Sequence, residues 1–163
     1  MLSWLLSSLL SLAATYGPVV LFAIFLLEGA LIGKVIPTRA LFVAVVVAVG
    51  TSVISLVSVI ALAVVGATLG QCLLFVLVRY IDYRPGYSSV DNRFVNRAEE
   101  WFEQGGYPAV AITNTLPVLR GSLTVPVALG TTSTPRFFVA SFLGTTFYVT
   151  GLTVVAVGLL ELI

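Results

Sequence analysis

Residues 40–78 run for 39 positions without one charged side chain. No other feature constrains the fold as much. As a single α-helix this run would extend about 58 Å at 1.5 Å per residue. That is nearly twice the ~30 Å hydrocarbon thickness of a bilayer, so the run must break. Gly50-Thr51-Ser52 is the expected place, leaving a half-length helix over about 38–49 and a full span over about 53–80. Further uncharged runs cover 1–27, 104–119, 121–135 and 137–160. The whole chain has 163 residues, of which 59% are hydrophobic and 9% charged, against about 25% charged in a soluble domain. A soluble domain of this size has too little interior to hide so much apolar surface. The chain therefore reads as one all-α integral membrane domain, residues 1–163, multi-pass in the cell (cytoplasmic) membrane.

Several function classes drop out early. The chain has no histidine, which removes His-based catalysis and His metal sites. Its one cysteine, Cys72, has no disulfide partner within the chain. Asp82 and Asp91 both lie in a polar segment, so no buried aspartate pair is available to an intramembrane protease. No enzyme activity, cofactor or metal is expected. The net charge of +1 gives no basis for a nucleic-acid partner. The opening "MLSWLLSSLLSLAATYG" lacks the positive n-region of a secretory signal and is read as an apolar helix of the mature protein, residues 1–15.

The stretch "EGALIGKVIPTR", residues 28–39, places Glu28, Lys34 and Arg39 around Pro37 between two charge-free runs. Residues 104–119 and 121–135 are each short for a span and flank Pro117 and Arg120. Both regions read as re-entrant helical hairpins, because broken backbone at membrane depth is tolerated inside protein or against a wet cavity. Gly33 and Pro37 break the first hairpin, Pro117 and Gly121 the second.

The two regions also correspond. Pro37 precedes Gly50-Thr51-Ser52 by the same interval that separates Pro117 from Gly130-Thr131-Thr132, at an offset of 80 residues. Each unit is a hairpin plus one span, 16–81 and 106–163, so each crosses the membrane once. The second unit is then inverted relative to the first. Paired, proline-interrupted apolar segments point to a transporter's midplane site.

Between the units, residues 82–105 form a polar linker. The segment 79–106 carries 9 of the 15 charges. From Ser88, Val90, Phe94, Ala98, Trp101 and Phe102 make one apolar stripe at helical spacing, and Gly105 can end the helix. Such a helix suits the headgroup layer. Arg79, Arg84, Arg93 and Arg97 place it on the cytoplasmic side. The alternative is a partner-binding helix. Small residues at Ala63, Ala67 and Gly70 suit close helix packing, within one chain or in a homodimer.

A charge deep in a bilayer costs at least about 2.5–3.5 kcal/mol, so Glu28, Arg39, Arg120 and Lys34 are candidates for function. Lys34 and Arg39 can also sit at the water boundary. Glu28 can act as proton carrier or as charge partner to Arg39 or Arg120. Arg120 is the leading candidate, because a guanidinium grips a phosphate with a bidentate fork.

These residues resemble the DedA family, also called the VTT or SNARE-associated-Golgi domain. Glu28 matches the family's first acid, and "IPTR", residues 36–39, its Ile-Pro. "GATLG", residues 66–70, matches its glycine pair. "FEQGGYPAVAITNTLPVLRG", residues 102–121, matches its second hairpin, and "PVALG" and "RFFVASFLGTTF" match the segments C-terminal to that hairpin. The resemblance implies movement of lipid-linked substrates, undecaprenyl phosphate in bacteria or phospholipids in eukaryotic scramblases. The expected phosphate-binding residues are Arg120, Arg39, Asn114 and Lys34, with Glu28 in proton coupling or charge pairing; of these the family pattern keeps Arg120 and Glu28. Three positions depart from the family. Its second acid falls on Arg39, its first hairpin arginine on Asn114, and a further acid on Gln71. The expected function is a DedA-like transporter that moves a phosphate-bearing lipid through a polar cleft between two hairpins, with membrane lipids as its surroundings. The alternatives are a membrane-organising protein without transport and a small-solute or ion transporter.

Overall fold

A computed structural model describes residues 19–30, 38–49, 52–81, 92–116, 120–121, 123–129 and 133–160. Six helices lie within them: α1 Val19–Gly29, α2 Thr38–Val49, α3 Val53–Ile81, α4 Asn92–Thr115, α5 Thr124–Leu129 and α6 Thr134–Leu160. No strand occurs among the described residues. Two helices are long and apolar enough to cross a membrane, Val53–Tyr80 within α3 and Thr134–Gly158 within α6. At 29 and 27 residues they extend about 44 and 40 Å. By contrast α1 and α2, at 11 and 12 residues, reach about 17 and 18 Å, short of a bilayer's hydrocarbon.

The break after residue 49 falls where expected, since α2 ends at Val49 and α3 starts at Val53. The expected stop at Gly105 comes one residue later. Gly106 adopts φ 56° and ψ −140° inside α4, a left-handed backbone that glycine tolerates best. It divides α4 into an arm over 92–105 and an arm over 107–115. Pro108 opens the second arm, where its missing N–H leaves no bond unmade.

Glycines bring the helices close. A Cβ on Gly66 would meet the Phe22 carbonyl, and one on Gly70 the Leu26 carbonyl, so α1 lies backbone against backbone on α3. Gly144 of α6 does the same against Ala111 of α4. The stripe of Ala63, Ala67 and Gly70 is thus used within the chain, both alanines being fully buried.

Two apolar clusters hold the bundle. One joins Phe25, Phe42, Val46, Val59 and Ala63 to Val149 and Ala156. The other joins Leu74, Phe75 and Val78 to Val110, Val125, Phe137 and Ala140. Phe75 and Phe137 stack with centroids 4.5 Å apart. The clusters occur in opposite order along α3 and α6, so the two long helices run antiparallel. Between them lies a polar layer containing Thr68, Gln71, Asn114, Ser141 and Thr145, all buried. Meanwhile Ile54, Val57, Leu73, Phe147 and Val154 point outward. In water such a surface would drive association, whereas in lipid it is the outer face of a membrane protein.

Candidate functional site

Two of the charges isolated in the sequence, Glu28 and Arg120, meet beside the polar layer. Glu28 sits in the last turn of α1. Arg120 lies in the turn between α4 and α5, beside Gly121, whose φ is 73°. Arg120 Nη1 lies 3.4 Å from Glu28 Oε1, an ion pair across 92 residues of chain. The side chains are 7% and 21% exposed, respectively. The pair is incompletely satisfied. Arg120 Nη2 and Glu28 Oε2 are buried without a hydrogen-bond partner among the described residues. A buried polar atom left unpaired costs about 1–3 kcal/mol, more when charged. Such atoms therefore mark a place where another group is wanted.

Aromatic rings frame the guanidinium. The Arg120 Cζ lies 4.5 Å from the Tyr148 ring centroid and 5.7 Å from that of Phe25. Cation–π contacts of this kind contribute about 2 kcal/mol when desolvated. Tyr148 also accepts a hydrogen bond at 3.1 Å from Nε of Arg39, in the first turn of α2. Glu28, Arg120, Tyr148 and Arg39 thus form one connected group built from α1, the turn before α5, α6 and α2. Tyr148 stands 14 residues from Thr134 and 12 from Leu160, about 21 and 18 Å along the helix. The group therefore sits near the middle of α6.

Asn114 lies beside this group, bonded to the residue after Arg120, and its side chain is fully occupied. Its Nδ2 donates to Gln71 Oε1 at 3.0 Å and to Ser141 Oγ at 3.3 Å. Its Oδ1 accepts from Gln71 Nε2 at 3.4 Å and from the Gly121 N–H at 3.0 Å. Asn114 therefore fixes the turn that presents Arg120. Gly121 stands in that turn, as expected from the sequence, and Thr124 N–H bonds back to its carbonyl at 3.1 Å. Lys34, Gly33, Pro37 and Pro117 lie outside the described residues.

Sequence reasoning missed Tyr148, Ser141 and Thr145 as members of the layer. A signal existed. They stand at i, i+4 and i+7 from residue 141, a hydroxyl stripe at helical spacing on an apolar helix. No cluster of His, Cys, Asp or Glu suited to a metal ion occurs among the described residues.

A second feature lies where α4 and α6 diverge. A groove of about 480 Å³ is lined by Tyr107, Ala111, Arg136 and Leu143 among others. The Arg136 guanidinium lies 5.5 Å from the Tyr107 ring centroid. A hydrogen bond from Arg136 is the chief cause holding the Tyr107 hydroxyl below its ordinary pKa.

The VTT domain model matches residues 36–158. Undecaprenyl phosphate transporter A of Staphylococcus aureus is 34% identical over 76 residues, which cover 47% of this chain and 37% of that protein. The match therefore spans little more than a third of that relative's length. No solved structure matches the chain.

Proposed function

The chain belongs to the VTT domain family, and from that premise we propose that it carries a phosphate-bearing lipid across the cytoplasmic membrane. The headgroup passes through the cleft at Arg120 while the tail stays in lipid. One observation carries this reading: a buried guanidinium and carboxylate, paired at 3.4 Å, each with an atom left unpartnered among the described residues. An incoming phosphate offers Arg120 several strong acceptors in place of the single Glu28 oxygen. A bidentate Arg–phosphate contact is about twice as strong as a neutral hydrogen bond. Glu28 then gives way, and takes the guanidinium back when the headgroup leaves. Arg39 lends a second positive charge. Summing −1 for Glu28 and +1 each for Arg39 and Arg120 leaves the cleft at +1, which favours an anionic headgroup.

The carrier is built as two units, 16–81 and 106–163, each a re-entrant hairpin plus a span. The antiparallel run of α3 and α6 supports the inversion, as does the 80-residue offset between Pro37 and Pro117. The arginines around α4 face the cytoplasm. The named relative in Staphylococcus aureus supports a polyprenyl phosphate as the first substrate to try.

The test is flipping of a fluorescent polyprenyl phosphate in liposomes, with the wild type beside Arg120→Ala. Wild-type flipping should exceed empty liposomes, and the variant should fall at least about tenfold, the size expected when a buried charge contact is truncated. Movement of a phospholipid probe alone would change the substrate and leave the cleft standing. If neither lipid moves, the transport reading fails and a membrane-organising role takes its place.

A further inference from the structure

Tyr148 does something the charges alone do not. It is 7% exposed, sits at the middle of α6, and touches both arginines of the cleft. Its hydroxyl oxygen accepts a hydrogen bond from Nε of Arg39 at 3.1 Å. Its ring face lies 4.5 Å from the Arg120 Cζ. The two contacts use different parts of one rigid side chain. Resting on the transport reading above, we infer that Tyr148 is a positioning residue that holds Arg39 and Arg120 as a two-cation clamp. This clamp selects a phosphate monoester headgroup over a phosphate diester.

The donor geometry supports the clamp. A guanidinium has five N–H donors in a planar fork. Arg39 is held through Nε, which fixes where its charge sits relative to the phenol. Arg120 is set against the ring, which leaves the edge of its fork for acceptors. Nη1 of that fork meets Glu28 and Nη2 has no partner among the described residues. Two cations are thus held about one tyrosine apart, and an anion drawn to the Arg120 fork feels both charges.

Charge decides which anion benefits. A diester phosphate carries one negative charge at every physiological pH. A monoester carries about one and a half to two, because its second pKa is near 6. With one arginine the two headgroups differ little. With two, the second charge of the monoester meets a second cation, the exposed Arg39 held beside the Tyr148 hydroxyl. The described ionisable groups facing the site are Glu28 from α1, Arg39 from α2, Arg120 from the turn before α5 and Tyr148 itself from α6. On α3, Thr68 and Gln71 are neutral, and Cys72 packs against the other apolar cluster.

The experiment uses the full chain in liposomes and two fluorescent probes, a polyprenyl phosphate and its methyl diester, which share one tail. In wild type at pH 7.5 the monoester should flip about tenfold faster than the diester, the size of one hydrogen bond to a charged group. At pH 5 that ratio should fall toward one as the monoester dianion takes up one proton and becomes a monoanion like the diester. Tyr148→Phe keeps the ring for Arg120 and removes the acceptor for Arg39. It should bring the ratio near one at both pH values, with the monoester slowed more than the diester. Arg39→Gln should do the same without touching the ring, so a folding defect in either variant does not decide the matter. Equal wild-type rates for the two probes, or a wild-type ratio retained in Tyr148→Phe or Arg39→Gln, overturn the clamp and leave the transport reading intact. Failure of wild type to move either probe overturns both.

Discussion

Two polar groups lie within the same layer and are built on opposite terms. Around Asn114, four hydrogen bonds link Gln71, Ser141 and the Gly121 N–H, all neutral and buried. Around Arg120, one long ion pair leaves a carboxylate oxygen and a guanidinium nitrogen unpartnered among the described residues. The first group spends its hydrogen-bonding capacity inside the protein and has little left for a ligand. The second keeps capacity in reserve. A satisfied buried network rigidifies what it joins, whereas a partly satisfied one is a liability unless something else completes it. The contrast separates a satisfied network from an incomplete one, even though both groups consist of polar residues at similar depth, and under the proposed function it separates scaffold from site.

Four substitutions probe this contrast, beginning with the largest effect. Arg120→Ala should drive lipid flipping to the background of empty liposomes, while thermal unfolding in detergent shifts only modestly. Glu28 keeps 21% of its side chain exposed and already has one oxygen without a partner among the described residues. Asn114→Leu should show the reverse emphasis, a stability loss of about 2–4 kcal/mol from stranding the Gln71 amide and the Gly121 N–H. Equal destabilisation by the two variants would erase the distinction between scaffold and site. Pairing Asn114→Leu with Gln71→Leu should recover about 1 kcal/mol of that loss, since both ends of the buried amide pair then become apolar. A double-mutant cycle on unfolding reads this coupling directly, and strict additivity would mean the two amides do not act together. Smallest of all, Gly151→Ala should raise stability by no more than about 1 kcal/mol, through helix propensity alone. A Cβ there meets nothing within 4 Å, unlike one at Gly70 or Gly144.

Much of the scaffold is legible in the sequence for one physical reason. Charge-free length fixes where a helix can and cannot cross a bilayer, so α2 and α3 fall close to their expected bounds. The helix around residues 92–105 is legible from its apolar stripe. Its continuation past Gly106 is not, because a glycine can end a helix or merely bend it. Glu28 and Arg120 stand out because a charge in an apolar run is costly and therefore informative. Tyr148, Ser141 and Thr145 do not stand out, because hydroxyls are common in apolar helices, where many simply bond a carbonyl one turn back. Thr153 illustrates this, donating to the Val149 carbonyl at 2.9 Å. Nor does the sequence say that Asn114 and Gln71 face each other across 43 residues. Each amide alone reads as a missing charge, and the pairing becomes visible only when α3 and α4 are brought together.

The glycine seams have a mechanical consequence. With α1 seated backbone to backbone on α3, that pair turns as one stiff lever. The arm over 107–115, seated on α6 through Gly144, makes a second. Main chain against main chain leaves no side chain at either seam to repack, so a shift of the core is taken up where side chains form the joint. Glu28 rides on the first lever. Arg120 follows the second, tethered there by Asn114 through Gly121. The ion pair thus bridges the joint between the two pairs, and under the transport reading an anion that displaces Glu28 would unfasten it.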